Sequence, residues 1–180
     1  MSAAQLASAA ATDVGARRAL ELVVLDSVRL RAWDRVLFVE CGDGWIVEEA
    51  WRRAIRAYAC GLDTSAAQIE RAREMREVPG KLEFSVWDGR TLPVADAAFD
   101  RIVLTVGHLV VSDALALIPE ARRALRADGE LYVLYPTTGR AALQEALTQA
   151  GLPDARELLR SDDQTAVLVR ARPAPDQKIV

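Results

Sequence analysis

The chain has 180 residues, enough for one domain with a sizeable hydrophobic core. It is 51% hydrophobic and 27% charged, as globular proteins are, and its net charge of −3 gives no basic field that would favour nucleic acid. Two cysteines, Cys41 and Cys60, cannot form a disulfide framework, so a reducing compartment is expected.

Neither a membrane helix nor a secretion signal is expected. No run reaches the roughly 18 apolar residues that a membrane span needs. The arginines of residues 1–18 follow the alanines, which reverses the order of a signal peptide. We therefore expect a cytoplasmic protein, and the arginine- and alanine-rich composition indicates a bacterial source.

Helical and strand-like patterns alternate along the chain. Residues 1–12 are rich in alanine and serine, and an amphipathic helix is predicted from Asp13 onward. Further helices are predicted at 45–54, 65–77, 114–126 and 139–150, with a turn-like passage at 88–98. Strands are predicted at 35–40, 55–62, 81–87, 100–106, 129–135, 154–160 and 165–172.

Turn and capping residues support these boundaries. Ser65 followed by Gln68 is typical of a helix start, and Asp128-Gly129 is predicted to end the helix before the fifth strand. The first strands are apolar on both faces, as parallel strands between helices are. A polar turn at 161–164 predicts an antiparallel last strand. The result is one α/β domain at 31–172, with a helical segment at 1–30 that could serve as a lid and an exposed tail at 173–180.

The segment 36–45, VLFVECGDGW, begins as a buried strand and ends in a glycine-spaced turn before a helix. Such a turn often cradles a nucleotide-like ligand, although Gly42 and Gly44 alone are equally compatible with a plain tight turn. Asp63 ends the second strand and Asp88 follows the third. Each acid alone is explained as a helix-start charge or a turn residue, but together with the glycines they indicate a nucleoside site. A dinucleotide is disfavoured, because Val47 stands where its fingerprint needs glycine or alanine.

At these residues the sequence resembles the class I S-adenosylmethionine-dependent methyltransferases, in their small-molecule branch, over about residues 33–172. VLFVECGDG resembles the first motif of the family, commonly VLDIGCGTG, and CGLDTSAAQIERARE resembles the second. LEFSVWDGRTLPVADAAFDRIVL is similar to the third motif and fourth strand, and ARRALRADGELYVLYP to the fifth-strand region. The resemblance implies a Rossmann-like three-layer sandwich with a seven-stranded, mostly parallel sheet whose last strand is antiparallel.

The resemblance also implies a function and a set of site residues. Asp63 matches the acid that binds the ribose, and Asp88 the acid that contacts the adenine. The implied activity is methyl transfer from S-adenosylmethionine to a small molecule. The alternative is a non-catalytic methyltransferase-like domain that acts as a binding or partner subunit, and a homodimer or a partner could complete the shallow site. The cofactor-binding residues expected from the match are Glu40, Cys41, Gly42, Gly44, Asp63, Thr64, Gln68, Asp88, Gly89 and Thr105.

Two residues depart from the first motif of the family. Phe38 replaces an acid near the methionine end of the cofactor, and Glu40 replaces the first glycine. Because relatives sometimes carry alanine there, we expect that the backbone at Glu40 does not require glycine. We further expect its carboxylate to face the positive end of the cofactor and to restore the charge that Phe38 lacks.

No catalytic residue is assigned, because the sulfonium of the cofactor is already activated and positioning supplies most of the catalysis. His108, the only histidine, follows the fourth strand and is either a general base or, as we favour, a rim residue. Trp45 and Trp87 either line a substrate pocket or, more commonly for such residues, pack on the sheet. No metal site is expected.

Overall fold

The computed structural model describes residues 14–54, 56–105, 111–161, 164 and 166–174. Its centre is a seven-stranded sheet. The strands are β1 (Arg35–Val39), β2 (Tyr58–Asp63), β3 (Leu82–Val86), β4 (Phe99–Thr105), β5 (Leu125–Pro136), β6 (Asp154–Arg160) and β7 (Ala166–Arg172).

The order across the sheet is β3-β2-β1-β4-β5-β7-β6. Strands β1 to β5 pair in parallel, and β7 runs antiparallel to both of its neighbours, β5 and β6. The predicted seven-stranded, mostly parallel sheet with an antiparallel last strand is confirmed. Because β1 lies between β2 and β4, the carboxyl ends of the first strands meet at one edge of the sheet.

Helices cover both faces of the sheet. They are α1 (Val14–Ser27), α2 (Trp45–Arg53), α3 (Ala66–Arg76), α4 (Val111–Ala116), α5 (Ile118–Ala124) and α6 (Arg140–Gln149), with a 3₁₀ turn at Thr137–Gly139. One core cluster packs α1, α2 and α3 on the sheet, and a second cluster packs α5 and α6 on the opposite face. The three-layer α/β sandwich is therefore confirmed.

Phe38 shows how the core replaces the acid of the first motif. Its side chain is 1% exposed and lies in the cluster beneath α1 to α3. Its partner across the strand pair is Gly61, and a Cβ atom there would lie only 2.8 Å from Phe84 Cδ1. The position that the family gives to an acid thus belongs to the packed interior in this chain.

Two regions of the predicted secondary structure differ from the structure by more than one residue. The strand predicted at 55–62 begins at Tyr58. The helix predicted at 114–126 is two short helices, and β5 begins at Leu125 rather than at Gly129. Pro119 lies in the first turn of α5, where its missing N–H costs nothing. Leu125 is 1% exposed and pairs with Phe99, so burial of its side chain starts the strand four residues earlier than the Asp128-Gly129 pair predicted.

The N-terminal helix packs on the same core as the sheet. Val24, Leu25 and Val28 of the α1 region are buried in the cluster that holds Phe38. Residues 1–13 and 175–180 and His108 lie outside the described residues, so a lid role for 1–30 and an exposed tail stay predictions. Among the described residues, no helix is both long and apolar enough to cross a lipid bilayer.

A buried charge network joins the strands at the edge opposite the glycine turn. Glu130 is 3% exposed; it accepts a hydrogen bond from Tyr132 Oη at 2.7 Å and contacts Arg101 Nε at 3.3 Å. Arg172 also donates to it. Burial raises the pKa of Glu130, but these donors outweigh burial and hold the pKa below its usual value. One carboxylate therefore neutralises guanidinium groups from two strands.

Glu130→Ala should lower the free energy of unfolding by about 3–5 kcal/mol, because it removes the nearer carboxylate partner of the buried Arg101 guanidinium and leaves a longer contact of 3.7 Å with Asp34. Urea denaturation would measure this loss. Glu157→Ala removes a carboxylate from an exposed pair with Arg160 and is the matched control, for which little change is expected. Equal effects of the two substitutions would contradict a structural role for the network.

Candidate cofactor site

The turn after β1 has left-handed backbone at three positions. The φ angles are 63° at Glu40, 59° at Gly42 and 77° at Gly44. The backbone at residue 40 therefore adopts a conformation that favours glycine, although this chain carries glutamate there. A side chain in this region costs about 1–2 kcal/mol, because the Cβ atom crowds the backbone. At Gly44 space is also lacking, since a Cβ would lie 2.4 Å from Phe84 Cε1.

Asp63 fastens this turn to the end of β2. Its carboxylate is 3% exposed and accepts hydrogen bonds from the backbone N–H of Gly42 at 2.7 Å and of Ser65 at 2.8 Å. The two bonds use one position on each oxygen, while a carboxylate offers about four acceptor positions. Acceptor capacity therefore remains on the residue that matches the ribose-binding acid.

Asp88 and Gly89 extend the same edge to the end of β3. Asp88 is exposed and accepts hydrogen bonds from the N–H groups of Thr91 and Arg90, which lower its pKa. Gly89 has a φ of 79°, and a Cβ there would lie 3.4 Å from Thr64 Cγ2. The structure thus brings Thr64, Asp88 and Gly89 together beside Asp63, as the motif match predicts.

The Glu40 side chain is buried and directed toward the end of β3. It is 6% exposed, and its Oε1 accepts a hydrogen bond from Trp87 Nε1 at 3.3 Å. Trp87 follows β3, so the carboxylate lies toward β2 and β3, on the side of Asp63. That it faces the positive end of the cofactor stays a prediction. A buried carboxylate needs a donor, and the indole N–H supplies one.

This location changes the protonation of Glu40. Burial, and then the negative charge of Asp63, raise the pKa of Glu40 to about 7, although the hydrogen bond from Trp87 lowers it in part. The neighbouring Cys41 thiol has a pKa raised well above its usual value by burial, so it stays neutral. Near pH 7 the Glu40 carboxyl therefore exchanges between its neutral and its charged form.

Three of the expected cofactor-binding residues make contacts within the chain that shape the site. The Cys41 side chain is 1% exposed in the core, and its N–H donates to the Leu62 carbonyl at 3.0 Å. Thr105 Oγ1 lies 3.0 Å from the carbonyl oxygens of both Val39 and Glu40. The Gln68 N–H donates to Ser65 Oγ at 3.4 Å, in keeping with the predicted helix start. Their contact with a cofactor stays a prediction.

Two arginines that sequence reasoning missed brace the turn. Arg18 Nη2 of α1 lies 2.6 Å from Asp43 Oδ2, and Arg76 Nε of α3 donates to the Asp43 carbonyl at 2.9 Å. Burial raises the pKa of Asp43, but the hydrogen bond and charge of Arg18 outweigh it and lower the pKa overall. No local motif reveals these pairs, because their members lie far apart in the sequence.

Trp45 and Trp87 pack against neighbouring side chains, which is the commoner of the two roles considered for them. Trp87 is 6% exposed within the core cluster, and Trp45 lies half-buried under the Arg18 guanidinium, 4.6 Å from the ring centroid. Among the described residues, no cluster of His, Cys, Asp and Glu could hold a metal ion. His108 lies outside the described residues, so a role as a base stays open.

The pKa of Glu40 predicts a change of stability with pH. Between about pH 4.5 and 7 the folded protein holds a proton on Glu40 that the unfolded chain releases, so the free energy of unfolding falls as the pH rises through this window. Urea denaturation should show that the free energy of unfolding of wild type falls from pH 5 to pH 8 by on the order of 2 kcal/mol more than that of Glu40→Gln. Parallel pH profiles would contradict a buried, titrating Glu40.

Comparison with known proteins gives the family. A family model described as a methyltransferase domain matches residues 36–129, just over half of the chain. The demethylmenaquinone methyltransferase of Thermotoga maritima is 35% identical over 101 residues, which are 56% of this chain and 43% of that protein. A ubiquinone/menaquinone biosynthesis C-methyltransferase of a Ruegeria species is 28% identical over 175 residues, 92% of this chain and 70% of that protein.

The solved structures agree on the fold. A TehB-like S-adenosylmethionine-dependent methyltransferase from Corynebacterium glutamicum superposes with a TM-score of 0.66 at 20% identity, covering 94% of each chain. The chain spans less than half the length of the Thermotoga relative. The family match covers the first, second and third motifs together, including Asp63 and Asp88. The chain therefore belongs to the methyltransferase-domain family, whose cofactor is S-adenosylmethionine.

Proposed function

We propose that the chain binds S-adenosylmethionine at the carboxyl ends of β1, β2 and β3 and transfers its methyl group to a small-molecule acceptor. The observation that carries the proposal is the Asp63 carboxylate, which holds the glycine turn through Gly42 and keeps acceptor positions for two ribose hydroxyls. A chain that had lost the cofactor would have little reason to keep this bond together with Asp88.

The residues present fit the adenosine half of the cofactor. Asp63 would accept the ribose hydroxyls, Asp88 would accept from the adenine, and the missing side chain at Gly89 leaves room beside Thr64 for the base. When bound, the cofactor supplies an activated methyl group on a sulfonium. The protein then has to hold the acceptor in line with the methyl group and to exclude water.

The names of the relatives indicate which acceptors to test first. The Thermotoga protein is named as a demethylmenaquinone methyltransferase, and the Ruegeria protein as a ubiquinone/menaquinone biosynthesis C-methyltransferase. We propose a hydroxylated aromatic ring as the first acceptor class, because such a ring is a carbon or oxygen nucleophile once it loses a proton. Among this chain's residues, His108 remains the candidate base for that proton.

The alternative of a non-catalytic binding or partner subunit rests on Glu40. Its side chain occupies a strained position beside Asp63, where the family carries a glycine, and could obstruct the cofactor. Thermal shifts separate the functions, because a ligand that binds only the folded state raises the melting temperature. We expect shifts with S-adenosylmethionine and S-adenosylhomocysteine and none with NAD.

A methyl-transfer assay completes the test. Formation of S-adenosylhomocysteine in the presence of soluble naphthohydroquinones supports the catalytic proposal and its acceptor class. Cofactor binding without turnover on any hydroxylated aromatic ring would refute that class. If wild type binds no cofactor at millimolar concentration while Glu40→Gly does, the non-catalytic alternative is correct.

Asp63→Ala should weaken binding of the adenosyl cofactor at least tenfold in calorimetry, because hydrogen bonds to a charged group contribute about 1.5–3 kcal/mol. The structure adds a second effect. Loss of the acceptor for the Gly42 and Ser65 amides should also lower the free energy of unfolding by about 1–3 kcal/mol. Asp154→Ala, at the far edge of the sheet, is the control. Unchanged affinity in Asp63→Ala would remove this residue from the site.

Glu40 should make cofactor affinity depend on pH. S-adenosylmethionine carries a positive sulfonium, and S-adenosylhomocysteine does not. A negative Glu40 favours the former, so calorimetry should show its affinity rising several-fold from pH 6 to pH 8, with a smaller rise for S-adenosylhomocysteine. Glu40→Gln keeps the size of the side chain and should flatten the profile, with a loss of about 1 kcal/mol at pH 8.

The same substitutions test the steric alternative. Glu40→Gly removes the side chain and relieves the left-handed strain, so its free energy of binding reports obstruction as well as charge. If either Glu40→Gln or Glu40→Gly tightens binding of S-adenosylmethionine at pH 8, the carboxylate is an obstruction and the electrostatic role is wrong.

A further inference from the structure

A second concave site lies at the amino ends of β1 and β2, at the opposite edge of the sheet from the proposed cofactor site. Its cavity volume is about 540 Å³, within the range of small-molecule pockets. The side chains that line it include three aromatic and three basic residues, Trp33, Trp51, Tyr58, Arg52, Arg56 and Lys81. We refer to these residues as the basal cleft.

Two residues of the basal cleft are held in an unfavourable backbone conformation. The described part of the chain contains five non-glycine residues with positive φ, and two of them are Trp33 at 71° and Arg56 at 61°. Neither is a residue type that tolerates this region easily. Strained residues of this kind concentrate at functional sites, because the strain persists only where it places a side chain usefully.

The strain places an exposed aromatic ring beside a cation. Trp33 is 65% exposed, and the Arg56 guanidinium lies 4.8 Å from its ring centroid. The stacking leaves the N–H donors at the rim of the guanidinium free to face a ligand, as they do when arginine recognises phosphate. Trp51 is only half-buried, so a second indole borders the cavity.

The electrostatics of the basal cleft favour an anion. Arg52 is paired with Glu48 at 2.6 Å, whereas Arg56 and Lys81 form no ion pair with any residue that the structure describes. The nearby carboxylate of Glu83 is already engaged by Tyr58 Oη at 2.5 Å and by the Gly80 N–H at 3.0 Å. Two cations without a carboxylate partner therefore border a cavity walled by aromatic rings.

We propose that the basal cleft binds a planar aromatic molecule that carries an anionic group, with its ring against Trp33 and Trp51 and its charge at Arg56 and Lys81. The aromatic residues of the cleft would stack on the ring of the ligand, and its basic residues would donate charge-assisted hydrogen bonds to the anionic group. Nothing in the proposed methyl transfer uses these residues, so the basal cleft is a separate site.

The test uses 1-naphthyl phosphate as the probe, with 1-naphthol and inorganic phosphate as its two halves. The protein is first saturated with S-adenosylhomocysteine, so that the probe does not enter the cofactor site. The four tryptophan indole N–H signals in a nitrogen–proton correlation spectrum then report the place of binding. We expect saturable shifts of Trp33 and Trp51 and none of Trp45 or Trp87, with much weaker effects of either half alone.

Substitutions identify the contacts. Trp33→Ala and Lys81→Ala should each lower the affinity for 1-naphthyl phosphate at least fivefold. Arg56→Gly should lower it as well, although it relieves the backbone strain at residue 56. Arg71→Ala, at an exposed position of helix α3, should leave the affinity unchanged. Shifts confined to Trp45 and Trp87, no saturation, or equal affinity across all the variants would overturn the proposal, whatever the outcome for the cofactor.

Discussion

The site depends on one hydrogen bond that spans two strand ends. The Gly42 N–H donates to the Asp63 carboxylate at 2.7 Å, and this bond closes the turn after β1 onto the end of β2. The parallel pairing of the two strands brings the groups to the same edge, and burial of the carboxylate strengthens the bond. Asp63, which we propose binds the ribose, and the glycine turn are thus a single unit, so loss of either partner is expected to disturb both the fold and the site.

Near this bond, the acidic residues are placed differently from those of the family's first motif. Phe38 brings the acid position of the first motif into the core, while Glu40 adds a carboxyl next to Asp63. Two neighbouring carboxylates resist simultaneous ionisation, so the site without a ligand stores electrostatic repulsion and backbone strain at the same residue. A cationic ligand would relieve the repulsion, so the altered motif is compatible with the proposed cofactor site.

The sequence predicted the sheet well because its strands are continuous apolar runs separated by glycine, proline and acidic turns. The positions of Asp63, Asp88 and Gly89 followed from the same logic, since residues after parallel strands must share an edge. The start of β5 was missed because burial of Leu125 overrides the local helical pattern and the Asp128-Gly129 turn signal.

The directions of the side chains in the site could not be predicted from the sequence. The left-handed backbone at Glu40, its hydrogen bond with Trp87 and the bracing of Asp43 by Arg18 all depend on contacts between residues distant in the chain. No periodicity or spacing carries that information, so the sequence located the carboxylate of Glu40 without its orientation. The cofactor contacts of all the expected site residues, and a cytoplasmic location, remain predictions.

The most direct test of the account is a crystal structure of the chain grown with S-adenosylhomocysteine. The account predicts that both ribose hydroxyls lie within hydrogen-bonding distance of the Asp63 carboxylate while its bond to the Gly42 N–H persists, and that the adenine lies beside Asp88 and Gly89. A nucleoside bound away from Asp63, or a Glu40 side chain filling the ribose position in crystals with millimolar ligand, would contradict it.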